Sequence, residues 1–162
     1  MFLLEADVLP MSGNYITNLM HFITFLELKK MHVSGTTSFT QILPEKEVEL
    51  EKSKSRLGRF DFFAQTTNGK SIGFEVLTRP SKGKMKEKLP YSREVDEFVF
   101  VIPEHSLDFY KKHEKNGLHD SVRKKFLPKE FADKKLFVWI LDSEKHRFTQ
   151  KGSFSEVFNV DL

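Results

Sequence analysis

The chain has 162 residues, 39% of them hydrophobic and 30% charged, the balance of one ordinary soluble globular domain with a substantial core. It has no cysteine, which excludes a disulfide framework and thiolate metal sites. No apolar run approaches the roughly 18 residues of a membrane-spanning helix.

The net charge of +3 hides an asymmetry. Residues 1–50 carry six acids against three lysines, whereas residues 51–90 carry ten lysines and arginines against four acids. Positive charge concentrated in one stretch suits an anionic partner such as a nucleic-acid backbone. The opening MFLLEADVLP has no basic leader and carries two acids, so it does not read as a secretory signal. The expectation is a cytoplasmic protein with no membrane partner.

Residues 2–9 are a short apolar segment closed by Pro10, expected as a strand or packed arm. After Ser12 comes a long helical pattern, nearly apolar all round, which Ser34-Gly35 ends. A helix that apolar is expected against a sheet. Glu27, the lone acid in its second half, is expected as a solvated position, with an accessory ligand as the sharper alternative. Residues 36–44 read as a polar connection or short strand, and Glu47 to Glu51 alternates with a period of two, as a strand does. The basic loop KSKSRLG then leads into the most informative stretch, Arg59 to Arg79.

This stretch, RFDFFAQTTNGKSIGFEVLTR, predicts a hairpin turning at Asn68-Gly69. A two-residue loop mixes polar and apolar side chains on both faces. A three-residue loop, Thr67-Asn68-Gly69 with a bulge at Gly69, pairs Thr66 with Lys70 and puts Asp61 opposite Glu75. It also gathers Phe60, Phe62, Ala64, Ile72, Phe74 and Val76 on one apolar face. A one-residue slip swaps every side chain between faces, so the register with the clean apolar face is preferred.

Beyond the Pro80 break, residues 81–89 predict a helix with Ser81 as N-cap and Met85 and Leu89 inward, bounded by Pro90. EFVFVIP (97–103) and LFVWIL (136–141) predict strands buried on both faces. Between them, 105–116 and 118–127 read as helices, and Phe148 to Val160 as a final hairpin. Trp139 is expected in the core. The histidines show no ligand spacing, and neither Gly58 nor Gly83 belongs to a phosphate-binding loop.

The order of elements is helix, strand, hairpin bearing Asp61 and Glu75, basic helix, strand, helix, strand. It resembles the PD-(D/E)XK, or restriction-endonuclease-like, nuclease superfamily over roughly residues 12–141, with 142–162 as a C-terminal extension. Arg59-Phe60-Asp61 matches the entry to the second core strand, and Gly73-Phe74-Glu75-Val76-Leu77 the strand that carries the family's second acid. The resemblance implies a single α/β (α+β) domain with a central mixed β-sheet, a long N-terminal helix and flanking helices.

It also implies a metal-dependent DNA endonuclease. Asp61 and Glu75, with Glu49 or Glu47 as a third carboxylate, would hold Mg2+ or Mn2+. The family's lysine position is occupied by Leu77, so its role passes to Lys84 or Lys82 from the following helix, or is approximated by Arg59 opposite Leu77. Arg56, Arg59, Arg79, Lys86 and Lys88, together with Lys82 and Lys84, are the phosphate-contacting candidates. A homodimer would suit a double-strand cut. The alternatives are a nucleic-acid-binding module without catalysis and a Phe-rich assembly protein.

Overall fold

The computed structural model describes residues 3–4, 14–51, 56–106 and 135–158, without the side chains of Leu3, Leu4, Glu51, Arg56, Lys82 and Phe158. At its centre β3 (Arg56–Thr66) and β4 (Ser71–Val76) pair antiparallel, Phe62 with Phe74, Ala64 with Ile72 and Gln65 with Ser71. This is the register of the three-residue loop. Gly69 takes φ +87°, Asn68 stays at negative φ, and the Gly69 amide donates to the Thr66 carbonyl at 3.0 Å. A two-residue turn of either hairpin type would need positive φ at its first central residue, Asn68. The Thr66 side chain further ties the turn by bonding Asn68 and accepting from the Lys70 amide at 3.0 Å.

Among the described residues, seven strands form one sheet in sequential order. The two-residue β1 (Leu3–Leu4) lies parallel to β2 (Phe39–Glu51), and β2 pairs antiparallel with β3. Of the two readings of 36–44, connection or short strand, the strand is found from Phe39 onward, continuous with the alternating Glu47–Glu51 run. β4, β5 (Glu97–Pro103) and β6 (Leu136–Asp142) are parallel, and β7 (Arg147–Ser153) returns antiparallel on β6. The last hairpin is thus made by β6 and β7, and Phe154–Phe158 is a short helix, α3, rather than its second arm. The architecture is a single α/β domain on a mixed sheet. The expected helices at 105–116 and 118–127 lie almost wholly outside the described residues.

Helix α1 (Tyr15–Val33) starts two residues later than Ser12 suggested, because the Asn14 side chain accepts the Thr17 amide at 3.1 Å. Its end is as expected, with Ser34 as cap and Gly35 at φ +76°. It buries Met20, Ile23, Phe25 and Leu28 against Ile42, Phe62, Ala64 and Phe74. The opposite face of the sheet packs under α2 (Lys82–Lys88), the 3-10 turn Leu89–Glu94 and α3. Ser81 caps α2 as predicted, and Met85 and Leu89 point inward. Pro90 falls inside the 3-10 turn. EFVFVIP feeds both faces, Phe98, Phe100 and Ile102 to one and Val99 and Val101 to the other. Trp139 is buried, as expected of a core strand.

One prediction about faces needs correction. Phe62 and Ala64 lie under α1, but Phe60 leaves that face and packs with Tyr91 and Phe98 on the other. Strand β2 switches with it, Ile42 facing α1 and Val48 and Leu50 the opposite layer. The switch occurs where Glu45, at φ +53°, interrupts the β2–β3 ladder opposite Asp61. A non-glycine residue in that region breaks the alternation of side chains along a strand. The phase change is what frees Asp61 from the sheet surface.

Candidate active site

Asp61 and Glu75 come together at the carboxyl end of β4, where open α/β sheets commonly hold their ligands. The β3–β4 ladder stops one pair short of them, at Phe62 and Phe74. Asp61 Oδ2 accepts the Val76 amide at 2.7 Å, taking a donor that a continued ladder would have used. Its Oδ1 lies 3.9 Å from His21 Nε2 on α1. A second link across the same seam joins the Thr17 and Thr78 hydroxyls at 3.1 Å.

Glu75 is 2% exposed and sits between the buried Phe74 and Val76. Lys88 Nζ, at the end of α2, approaches Oε2 to 3.6 Å, while Oε1 is buried with no hydrogen-bond partner among the described residues. Burial, and then the Asp61 charge, push the Glu75 carboxyl up to about 9. Burial would pull the Lys88 amine down, but the Glu75 charge, with smaller contributions from Tyr91 and Asp61, holds it above the usual lysine range. Lys88 gains that support only where Glu75 is ionised. At neutral pH, without a further cation, the Glu75 carboxyl carries its proton. The Lys88 amine is also fixed over the Tyr91 ring, 4.9 Å from its centroid.

The other candidates fall elsewhere. Leu77 is buried with Phe60, Met85 and Leu89, and its amide continues the pairing to Val101. Arg59 does not reach that space; it is exposed and pairs with Glu45 at 3.6 Å. Glu47 and Glu49 are exposed, and Glu49 pairs with Leu57 four residues along β2 from Glu45, about 13 Å at strand rise. Neither joins the two acids. Glu27 bonds Lys151 at 2.7 Å, bridging α1 to β7. Arg79, Lys84 and Lys86 are exposed beside α2, whereas the side chains of Lys82 and Arg56 lie outside the described residues.

Two groups stand beside the acids that sequence reasoning did not put there, Lys88 and His21. Lys88 was grouped with the phosphate contacts, although it directly precedes the buried Leu89. His21 lies four residues from both Thr17 and Phe25, which face the sheet, so helical spacing alone placed it inward.

Among the described residues, no three His, Cys, Asp or Glu side chains cluster closely enough to hold a metal ion by themselves. Mg2+ is commonly held by only one or two carboxylates, with water and substrate phosphate completing its shell. The orphaned Glu75 Oε1 beside Asp61 fits that demand. No family model matches the chain, and no curated protein is detectably similar to it.

Proposed function

We propose that the chain is a metal-dependent nuclease that hydrolyses phosphodiester bonds in DNA, with Asp61 and Glu75 as the residues that hold Mg2+ or Mn2+. The observation that carries this reading is the buried Glu75 carboxylate, orphaned at Oε1, with Asp61 on one side and the Lys88 amine 3.6 Å from Oε2. A bound divalent cation supplies charge neutralisation for the substrate phosphate and makes water a better nucleophile. The chain's own groups do the rest. The Val76 amide fixes one Asp61 oxygen, so the carboxylate is oriented before any ligand arrives. Lys88, held over Tyr91, presents an ammonium to the same space from the helix after the strand. It takes the role that Leu77 vacates on β4. Arg79, Lys84 and Lys86 form an exposed basic edge suited to phosphates, which gives affinity without sequence readout. The sequence similarity to the PD-(D/E)XK pattern supports the same assignment.

The test is incubation of plasmid and linear DNA with and without Mg2+ or Mn2+, comparing the native chain with Glu75→Gln. Cleavage that depends on the cation and falls by about a hundredfold to a thousandfold in the variant supports the assignment. Cleavage unchanged by the variant removes Glu75 from the site. Salt-sensitive binding with DNA left intact over long incubation replaces the nuclease with a binding module.

A further inference from the structure

Helix α1 is apolar on the side that the sheet does not use. Met20, Ile23, Phe25 and Leu28 fill the core, yet Tyr15, Phe22, Leu26 and Val33 are 73, 52, 46 and 81% exposed. Together with the half-buried Leu19 and Lys29, they follow one another at spacings of four, three, four, three and four. That is the 3.5-residue period of a helix–helix seam, and it runs along the outermost line of α1 for about 27 Å. An ordinary surface helix turns charge outward there. Here the charges near the line are Lys29 and Lys30, both at its carboxyl end. Glu27, the helix's one acid, stands off the line and is bonded to Lys151 at 2.7 Å.

The occupant that fits this line is a second α1 running the opposite way. The stripe reads alike from both ends: Tyr15 and Val33, Leu19 and Lys29, and Phe22 and Leu26 stand equally far from the level of Thr24. A two-fold interface needs that property, because each contact is made twice with the roles exchanged. Set antiparallel about Thr24, Phe22 meets the second copy's Leu26, Tyr15 meets Val33, and the Lys29 stem lies along Leu19. A parallel pair would bring four amines together at one end, with no acid on the line to offset them. A lipid surface is a poorer match, because helices that lie on membranes are rich in Lys and Arg along their length, and α1 has them at one end only. At about 200 Å2 for a fully exposed side chain of this size, the four exposures leave on the order of 500 Å2 per copy. A pair would cover about 1,000 Å2, the lower bound of a specific interface, so the association is weak and reversible.

We infer that the chain forms a reversible homodimer through this line of α1, the two helices antiparallel and crossing at the level of Thr24. The inference does not rest on the nuclease reading, because His21 and Thr17, which reach Asp61 and Thr78, leave α1 on the opposite side.

Sedimentation velocity of the full chain between about 1 and 500 μM should show monomer–dimer exchange with a dissociation constant in the micromolar range. Phe22→Glu and Leu26→Lys, both at exposed positions, should each weaken it about a hundredfold, since symmetry removes the contact twice. At about 1 μM, where the native chain is monomeric, their urea midpoints should equal its own, read from the single tryptophan, Trp139. Mixing the two variants should restore the dimer. Each position 22 then faces position 26 of the other copy, one pair oppositely charged and the other apolar. A native chain that stays monomeric over the whole range overturns the inference, as does a dimer indifferent to both variants. A mixture that associates no better than either variant alone overturns the antiparallel arrangement and the inference with it. A monomeric chain whose urea midpoint falls in both variants assigns the stripe to another segment of the same chain, and one captured by phosphatidylserine vesicles assigns it to a lipid surface. Either result overturns the homodimer.

Discussion

Replacing Glu75 by Gln should stabilise the protein while destroying its proposed activity. The Glu75 carboxyl is raised from 4.5 to about 9, chiefly by burial and then by Asp61. The folded state therefore binds this proton more tightly than the unfolded chain. Below the unfolded value both states hold it, and the group contributes no pH dependence. Between 4.5 and about 9 the unfolded chain has lost the proton and the folded protein has kept it, so stability falls as pH rises. Each unit costs about 1.4 kcal/mol, which amounts to about 3 kcal/mol by pH 7. A glutamine stays neutral at all these pH values and carries no such slope. Urea unfolding followed by Trp139 emission at about pH 5, 7 and 9 measures the difference. The native chain and the variant should be close at the lowest pH, and the variant should be more stable by up to about 3 kcal/mol at neutrality. Millimolar Mg2+ should narrow the gap by stabilising only the native chain, since it binds the folded state alone. Parallel stability curves for the two proteins, or a variant destabilised at neutral pH, would refute the reasoning.

The remaining predictions separate the lysines and probe the fold. Lys88→Met should lower cleavage about a hundredfold with DNA binding nearly intact, whereas Lys84→Ala should weaken binding and reduce its salt slope by about one. Both effects are read from cleavage rates and from binding at several salt concentrations. Leu77→Lys, which places a lysine two residues after Glu75 on β4, should cost several kcal/mol in urea unfolding and yield no gain in cleavage, because Leu77 is enclosed by Phe60, Met85 and Leu89. Gly73→Ala should cost about 1–3 kcal/mol by denaturant unfolding, since a Cβ there would stand 2.6 Å from the Phe60 ring. An unchanged midpoint would mean that Phe60 does not pack over β4.

The hairpin register was legible because two independent signals agreed, the turn chemistry of Thr67-Asn68-Gly69 and the clean apolar face from Phe62 to Phe74. Helix α2 was legible for the same reason, with Ser81 as cap and Met85 and Leu89 spaced by four. The face switch at Asp61 was not. It depends on the positive φ of Glu45, a residue with no glycine-like signature that lies opposite Asp61 on the neighbouring strand, and on Tyr91 drawing Phe60 across. Which lysine would stand in for Leu77 was also hidden. Four lysines in α2 share one short helix, and only the approach of that helix to β4 decides that Lys88 reaches Glu75.

The same structure shows why Glu75 differs from the chain's other acids. Asp96 accepts from the Ser71 amide and hydroxyl, and those bonds hold its carboxyl below the usual range. Asp142 is lowered likewise by the Lys145 and Glu144 amides of its turn. Glu97 and Glu27 have lysines at 3.0 and 2.7 Å. Each of these acids is answered by the protein itself, and each closes a turn or joins two elements. Glu75 sits where the neighbouring positions Phe74, Val76 and Leu77 are all buried and apolar, yet its burial is answered only at one oxygen. A hydrophobic residue there would serve the fold better, since an incompletely paired buried carboxylate is destabilising. Retaining the acid makes physical sense if what completes its coordination comes from outside the chain, and a sheet's carboxyl end with Asp61 and Lys88 converging on it is where such a ligand would bind.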